Sequence, residues 1–171
     1  YKGAYVVPDT VTTLSNYAFY NCKDLTDITI PDTVTTIGDY CFYKCTGLAN
    51  VELPANLQQV GTYAFGYCTN QTTAQLPATV NSLGNYAFAY CSNLTSVVIG
   101  DSVTTIGYRT FSGCSSLSSV VIGDSVISIG QEAFNLCHSS LYAEYEYGRY
   151  VRSGDNPYAV LIETTNKNLS S

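Results

Sequence analysis

Seven cysteines, one histidine and a sparse set of carboxylates are the residues of this chain that could do chemistry, and their spacing decides which chemistry is open to them. Six of the cysteines, Cys22, Cys45, Cys68, Cys91, Cys114 and Cys137, follow one another at intervals of 23 residues. A metal pocket needs donors that converge, as the paired C-x₂-C of zinc sites do. One cysteine per 23 residues with a single His138 offers no such cluster, so neither a metal nor another cofactor is expected. Disulfides between neighbours in the ladder are the alternative, because stacked segments bring Cα atoms within bridging reach. Equivalent residues carry parallel Cβ vectors, however, and these suit packing better than bridge geometry. The preferred reading is a column of buried free thiols, each acting as a small apolar residue. Cys41, which stands where other segments have Ala18, Ala64, Ala87 and Ala133, reads as a core substitution.

The oxygen-bearing residues lead to a similar place. Asp9, Asp32, Asp101 and Asp124 recur just after a Pro or Gly and could suggest a calcium ladder, but Ala55 and Ala78 interrupt it and the Gly-Gly-x-Gly-x-Asp repeat of calcium rolls is absent. Local turn bonding accounts for them. A Ser-His-Asp arrangement would have to use His138, and no G-x-S-x-G elbow or phosphate-binding glycine loop supports an active site. Glu144 and Glu146 fall on an expected exposed strand. No catalytic residue is therefore assigned, and the chain is expected not to be an enzyme. Tyr17, Tyr40, Tyr63 and Tyr86 form a row that could hold a sugar or peptide; a half-buried column with its hydroxyls in water is the preferred reading. Tyr145, Tyr147 and Tyr150 are read the same way. The N-x-[ST] triplets at Asn70, Asn93 and Asn168 mean glycans only in a secreting eukaryote.

The elements that must position these residues follow from the period. All six phenylalanines keep the 23-residue step, at Phe19, Phe42, Phe65, Phe88, Phe111 and Phe134, and so does an aliphatic position at Leu14, Ile37, Val60, Leu83, Ile106 and Ile129. Within one unit, Ile28 and Ile30 alternate as a strand requires. Pro or Gly then closes the strand, at Pro8, Pro31, Pro54, Pro77, Gly100 and Gly123. Val34, Ile37, Cys41, Phe42 and Cys45 have spacings closer to a helical or 3₁₀ turn. Each unit is thus one coil, and no coil of 23 residues buries its own apolar edge. Equivalent residues must stack on their neighbours in a quasi-one-dimensional core, with strands pairing in parallel at about 4.8 Å in one inner sheet.

Composition agrees. Charged residues make up 12% of the chain, about half the usual share, so Ser, Thr, Asn and backbone must supply the polar surface. A net charge of -6 with seven scattered Lys and Arg gives no basic stripe, which argues against nucleic acid. No apolar run approaches the roughly 20 residues of a membrane span, so membrane insertion is not expected. The chain starts at Tyr1 and holds no Met, and both ends are expected to be cut from a longer protein. The expected domains are a solenoid over residues 1–137 and a C-terminal β-rich connector or cap over 138–171, where a hairpin turning at residues 153–156 is anticipated.

The segments LTDITIPDTVTTIGDYCFYKC and NLTSVVIGDSVTTIGYRTFSGC carry a pattern, L-x-x-V-x-I-P-D-x-V-x-x-I-G-x-x-A-F-x-x-C, that resembles the BspA-like leucine-rich repeats of bacterial and protozoan surface proteins. The resemblance covers residues 1–137. It implies an α/β solenoid, a right-handed coil with a parallel inner sheet, at an extracellular or cell-surface location, that binds a host, matrix or cell-surface protein or glycan. If Ile28 and Ile30 point inward, Asp27, Thr29, Asn50, Glu52, Thr73, Gln75, Ser96 and Val98 face out along the concave side. None of these is needed for the core, so they are the candidate ligand-binding residues. The alternative is a structural spacer or self-associating scaffold, stacking end to end within a longer surface protein.

Overall fold

The computed structural model describes residues 2–145, 148–153 and 156–164, with side chains through residue 142. Each repeat is one coil, and the coils build two parallel ladders. The longer-stranded ladder holds Gly3–Val6 paired with Leu25–Thr29, and further along Thr73–Gln75, Ser96–Val98 and Ser119–Val121. Ala74 pairs with Val97 and Val97 with Val120, a 23-residue register. The second ladder is built from two-residue strands: Thr13–Leu14, Thr36–Ile37, Gln59–Val60 and Ser82–Leu83 form one sheet, and Thr105–Ile106 pairs with Ser128–Ile129. This second ladder is not expected from the sequence, where two residues cannot show a period.

The α part of the expected α/β class is a correction. Among the described residues the sole helical element is the 3₁₀ turn Ser139–Leu141. The stretch from Tyr40 to Cys45 is a stack of turns, because its N–H groups alternate between two directions. Tyr40, Phe42 and Lys44 donate to Thr62, Ala64 and Gly66 of the next coil at 2.8–2.9 Å, while Cys41, Tyr43 and Cys45 donate back to Gly38, Tyr40 and Phe42 at 3.1–3.3 Å. In an α-helix, past the first turn, successive N–H groups all bond to carbonyls four residues back in the same helix. Here Tyr40 and Lys44 adopt left-handed φ of 56° and 58°, which turns alternate amides outward to bind the neighbouring coil.

The core lies between the two ladders. Leu25, Val34, Ile37, Phe42 and Cys45 are wholly buried, and so are their equivalents Leu48, Leu94, Leu117, Val80, Val103, Ile106 and Phe111. The phenylalanines stack along the axis with centroids 5.1–5.5 Å apart and interplanar angles of 3–18°. The glycine that precedes this turn is set by close approach of coils: a Cβ on Gly84 would lie 2.4 Å from the Thr62 nitrogen, and one on Gly130 would lie 2.6 Å from the Tyr108 nitrogen.

All seven cysteines are free. From the second coil on, the ladder thiols donate to the carbonyl of the phenylalanine one coil back, Cys45 to Phe19, Cys68 to Phe42 and Cys91 to Phe65 at 3.0 Å, Cys114 to Phe88 at 3.1 Å and Cys137 to Phe111 at 3.4 Å. The column is therefore more than filler, since each of these thiols is a weak donor that adds a second hydrogen bond, from the next coil, to a carbonyl already bound within its own turn. Burial pushes the Cys41 and Cys45 thiols up to about 12, and drives Cys68 and Cys114 upward as well.

The array ends on a substitute for the next thiol. The Tyr142 hydroxyl donates to the Phe134 carbonyl and accepts from the Cys137 N–H at 3.0 Å. Three antiparallel strands follow, Tyr142–Tyr145, Gly148–Ser153 and Asn156–Thr164, and Ser153 pairs in parallel with Val120. Of the expected hairpin turn, Gly154 and Asp155 lie outside the described residues, as do Glu146 and Tyr147.

Candidate functional site: an interruption in the longer-stranded sheet

The expected single inner sheet is not continuous. Residues 50–53 of the third coil form no strand, so the ladder splits into an N-terminal pair and a C-terminal sheet. Hydrogen bonds at one repeat position locate the break. Val7 donates to Thr29 at 2.9 Å, Leu76 to Val98 at 3.0 Å and Ile99 to Val121 at 2.7 Å, whereas the equivalent N–H groups of Ile30 and Leu53 make no hydrogen bond.

One local substitution explains it, and a second departure from the repeat lies in the coil beside it. Asn50 puts its side chain where backbone should pair: its Oδ1 accepts from the Thr72 N–H at 2.8 Å and from Thr73 at 3.3 Å, and its Nδ2 donates to the Thr72 hydroxyl at 2.9 Å. Short amide side chains compete with ladders in this way. Gln71 stands at the position of Leu25, Leu48, Leu94 and Leu117, is 3% exposed, and its Nε2 has no hydrogen-bond partner. Neither residue breaks the period of Phe or Cys, and Gln71 shows in the sequence only as a gap in the leucine column.

Two grooves flank the interrupted coil. One, of about 570 Å³, is lined by Asp27, Thr29, Asp32, Asn50 and Glu52 among others. The second, of about 490 Å³, runs along Asn50, Glu52, Thr73 and Gln75. Six of the eight candidate residues thus border one feature, and all six are exposed. Ser96 and Val98 lie further along the same face; Ser96 is half-buried and Val98 is exposed. One expectation needs correcting, because Asn50 holds the fourth coil through three hydrogen bonds and is not free of the framework.

Other residues weighed for chemistry have structural partners. Asp32 accepts from the Ala55 N–H of the next coil at 3.0 Å, which is turn bonding carried between coils. A related row was missed in the sequence: Asn16 caps the Asp39 N–H at 2.8 Å, Asp39 caps Thr62 at 2.8 Å and Asn85 caps Tyr108 at 3.0 Å. His138 Nδ1 accepts from the Ser140 N–H at 3.2 Å at the start of the 3₁₀ turn. Among the described residues no group of three or more His, Cys, Asp or Glu is placed to share a metal ion.

The tyrosine row is wider than expected. Tyr17, Tyr40, Tyr63 and Tyr86 stack in one column, Tyr20 stacks on Tyr43 and Tyr67 on Tyr90, and edge contacts join these and Tyr108 into one surface. Most of the rings are half-buried, as expected, but Tyr17 is 56% exposed. The column ends where Arg109 replaces tyrosine, lies over the Tyr108 ring at 5.1 Å and pairs with Glu132.

A solenoid of stacked coils, each closed by a turn that sets Phe and Cys in register, defines a leucine-rich repeat protein. Residues 12–140 match the model of the BspA type leucine rich repeat region in six copies, and the chain belongs to that family. Among solved structures, a leucine-rich repeat protein from Bacteroides ovatus is 29% identical with a TM-score of 0.71, over 79% of this chain and 41% of its own. The T. pallidum leucine-rich repeat protein is 27% identical with a TM-score of 0.69, over 79% and 76%. A leucine-rich cell surface protein from Faecalibacterium prausnitzii is 28% identical with a TM-score of 0.62, over 94% and 54%. The chain therefore spans about two fifths of the Bacteroides protein and about half of the Faecalibacterium one. No curated protein sequence matches it. Among the described residues no helix is long and apolar enough to cross a membrane.

Proposed function

We propose that this chain is a non-enzymatic binding module of a secreted or cell-surface protein, and that it takes a protein or glycan on the outward face of the longer-stranded ladder around the third coil. The observation that carries the reading is the interruption at residues 50–53, which opens two adjoining grooves where an unbroken ladder would have left a flat sheet. Asp27 and Glu52 offer acceptors there, Gln75 offers both kinds of partner, and the N–H groups of Ile30 and Leu53 are unused donors. Sugar hydroxyls and extended peptide backbone both supply donors and acceptors together, so either suits this lining. The surface location is supported by the likeness to the Faecalibacterium cell surface protein.

The test compares two double variants with the wild-type chain on a printed glycan array and a panel of purified extracellular-matrix proteins. Asp27→Lys with Glu52→Lys should weaken binding at least about tenfold. Gln58→Lys with Thr104→Lys, exposed but away from the grooves, should leave it unchanged. Binding that ignores the first pair and responds to the second contradicts the proposal.

A further inference from the structure

The tyrosine surface has a chemistry that binding does not use. The chain contains neither Met nor Trp. Of its seven cysteines, five are buried and two half-buried. A one-electron oxidant meeting the described surface finds phenol rings as its readiest substrate, and Tyr17 and Tyr20, 56% and 45% exposed, are the open entry points. From there the rings are in continuous contact, with centroid separations of 4.4–5.5 Å through Tyr40, Tyr43 and Tyr63 to Tyr86 and Tyr90.

The closest pair is Tyr63 with Tyr86, whose rings lie 4.4 Å apart at 10°, followed by Tyr67 with Tyr90 at 4.7 Å and 19°. At such separations, carbons of two near-parallel rings are in van der Waals contact. Because both rings hang from equivalent positions of stacked coils, the repeat directs their phenol ends to the same side, where the carbons beside the hydroxyls can meet. No disulfide joins one coil to the next.

We propose that this surface is a site of oxidative cross-linking, in which Tyr63 and Tyr86 become joined by a carbon–carbon bond that staples the third coil to the fourth, with Tyr67 and Tyr90 as the secondary pair. The co-reactant is a peroxide acting through a haem peroxidase. Each phenol gives up one electron and its hydroxyl proton, and the two electrons and two protons reduce hydrogen peroxide to two waters. The phenoxyl radicals couple at the carbons ortho to oxygen, and the two ring hydrogens displaced there return to the oxygens, which restores both phenols. Burial among other tyrosines pushes the Tyr63 phenol up to about 12, so at neutral pH it is protonated and the proton leaves with the electron.

The sequence supplies a convenient readout, because cleavage on the amino side of every cysteine after cyanylation cuts the chain nearly coil by coil. Tyr63 and Tyr67 fall in fragment 45–67, and Tyr86 and Tyr90 in fragment 68–90. After treatment of the full chain with horseradish peroxidase and hydrogen peroxide, these two fragments should stay joined. Their mass should be two hydrogens below the sum of the parts, with dityrosine fluorescence and no gain in dimer. Tyr63→Phe, which keeps the ring stack, should remove most of the bridge, and Tyr63→Phe with Tyr67→Phe all of it. A chain oxidised in denaturant should scatter its bridges or form dimers. Complete separation of the two fragments after native oxidation, bridges mainly between molecules, or cysteine oxidation ahead of any dityrosine would overturn the proposal.

Discussion

Replacing Gln71 by leucine should stabilise the chain, because it removes a buried amide nitrogen that has no hydrogen-bond acceptor and restores the residue found at the same place in four other coils. Gln71 is 3% exposed, and the equivalent Leu25, Leu48, Leu94 and Leu117 are all 0% exposed, so the pocket is dry on both sides of it. A buried polar group left unpaired costs about 1–3 kcal/mol, and glutamine also loses more rotamer freedom on burial than leucine does. Leucine fills a similar volume, so little strain offsets the gain. The net expectation is about 2 kcal/mol. With a urea dependence of about 2 kcal/mol per M, the denaturation midpoint should rise by about 1 M at unchanged slope. A midpoint that stays put or falls would show that the amide has a partner, or that this position is not packed between Leu48 and Leu94, and the reasoning about the third and fourth coils would be wrong.

The same construction gives further expectations. Phe65→Ala, in the middle of the ring stack, should cost about 3–5 kcal/mol by the same urea measurement. Asp39→Ala removes the acceptor of the Thr62 N–H and should cost about 1–2 kcal/mol, whereas Asp39→Asn, which keeps the oxygen, should cost less. In the native protein the five buried cysteines should resist a thiol reagent, with labelling confined to the half-buried Cys22 and Cys137, and all seven should react once denaturant is added. The thiols also set an alkaline limit: Cys41 and Cys45 rise from an ordinary 9.0 to about 12 because burial disfavours the thiolate, so the unfolded chain releases those protons first. Stability should hold below pH 9 and fall as pH climbs toward 12, and a flat profile across that window would contradict the burial of the column.

What the sequence made legible was whatever repeats in an apolar residue. Phe42, Phe65 and Phe88 with Cys45, Cys68 and Cys91 mark the core of every coil, and the alternation of Ile28 and Ile30 places Asp27 and Thr29 on the outside. Less visible was the backbone path of the turn that carries Phe and Cys. Apolar spacings of three and four fit a helix, and the left-handed residues that replace it are Tyr40 and Lys44, where glycine would have been the usual sign. The side-chain caps of Asn16, Asp39 and Asn85 were hidden because polar residues in a Ser, Thr and Asn-rich chain stand out only once coils are stacked. The candidate face was legible as a list of residues and not as a site, since the break depends on a single departure from the repeat, Asn50.

The most direct test of that break is residue-resolved hydrogen exchange, measured by nuclear magnetic resonance on the native chain. Leu53, Leu76 and Ile99 occupy one position in successive coils, and Leu76 and Ile99 donate to the neighbouring strand while Leu53 donates to nothing. Leu76 and Ile99 should exchange slowly, through opening of the sheet, and Leu53 and Ile30 should exchange many times faster. Equal protection at Leu53, Leu76 and Ile99 would mean an unbroken sheet, and the grooves on which the binding proposal rests would not exist.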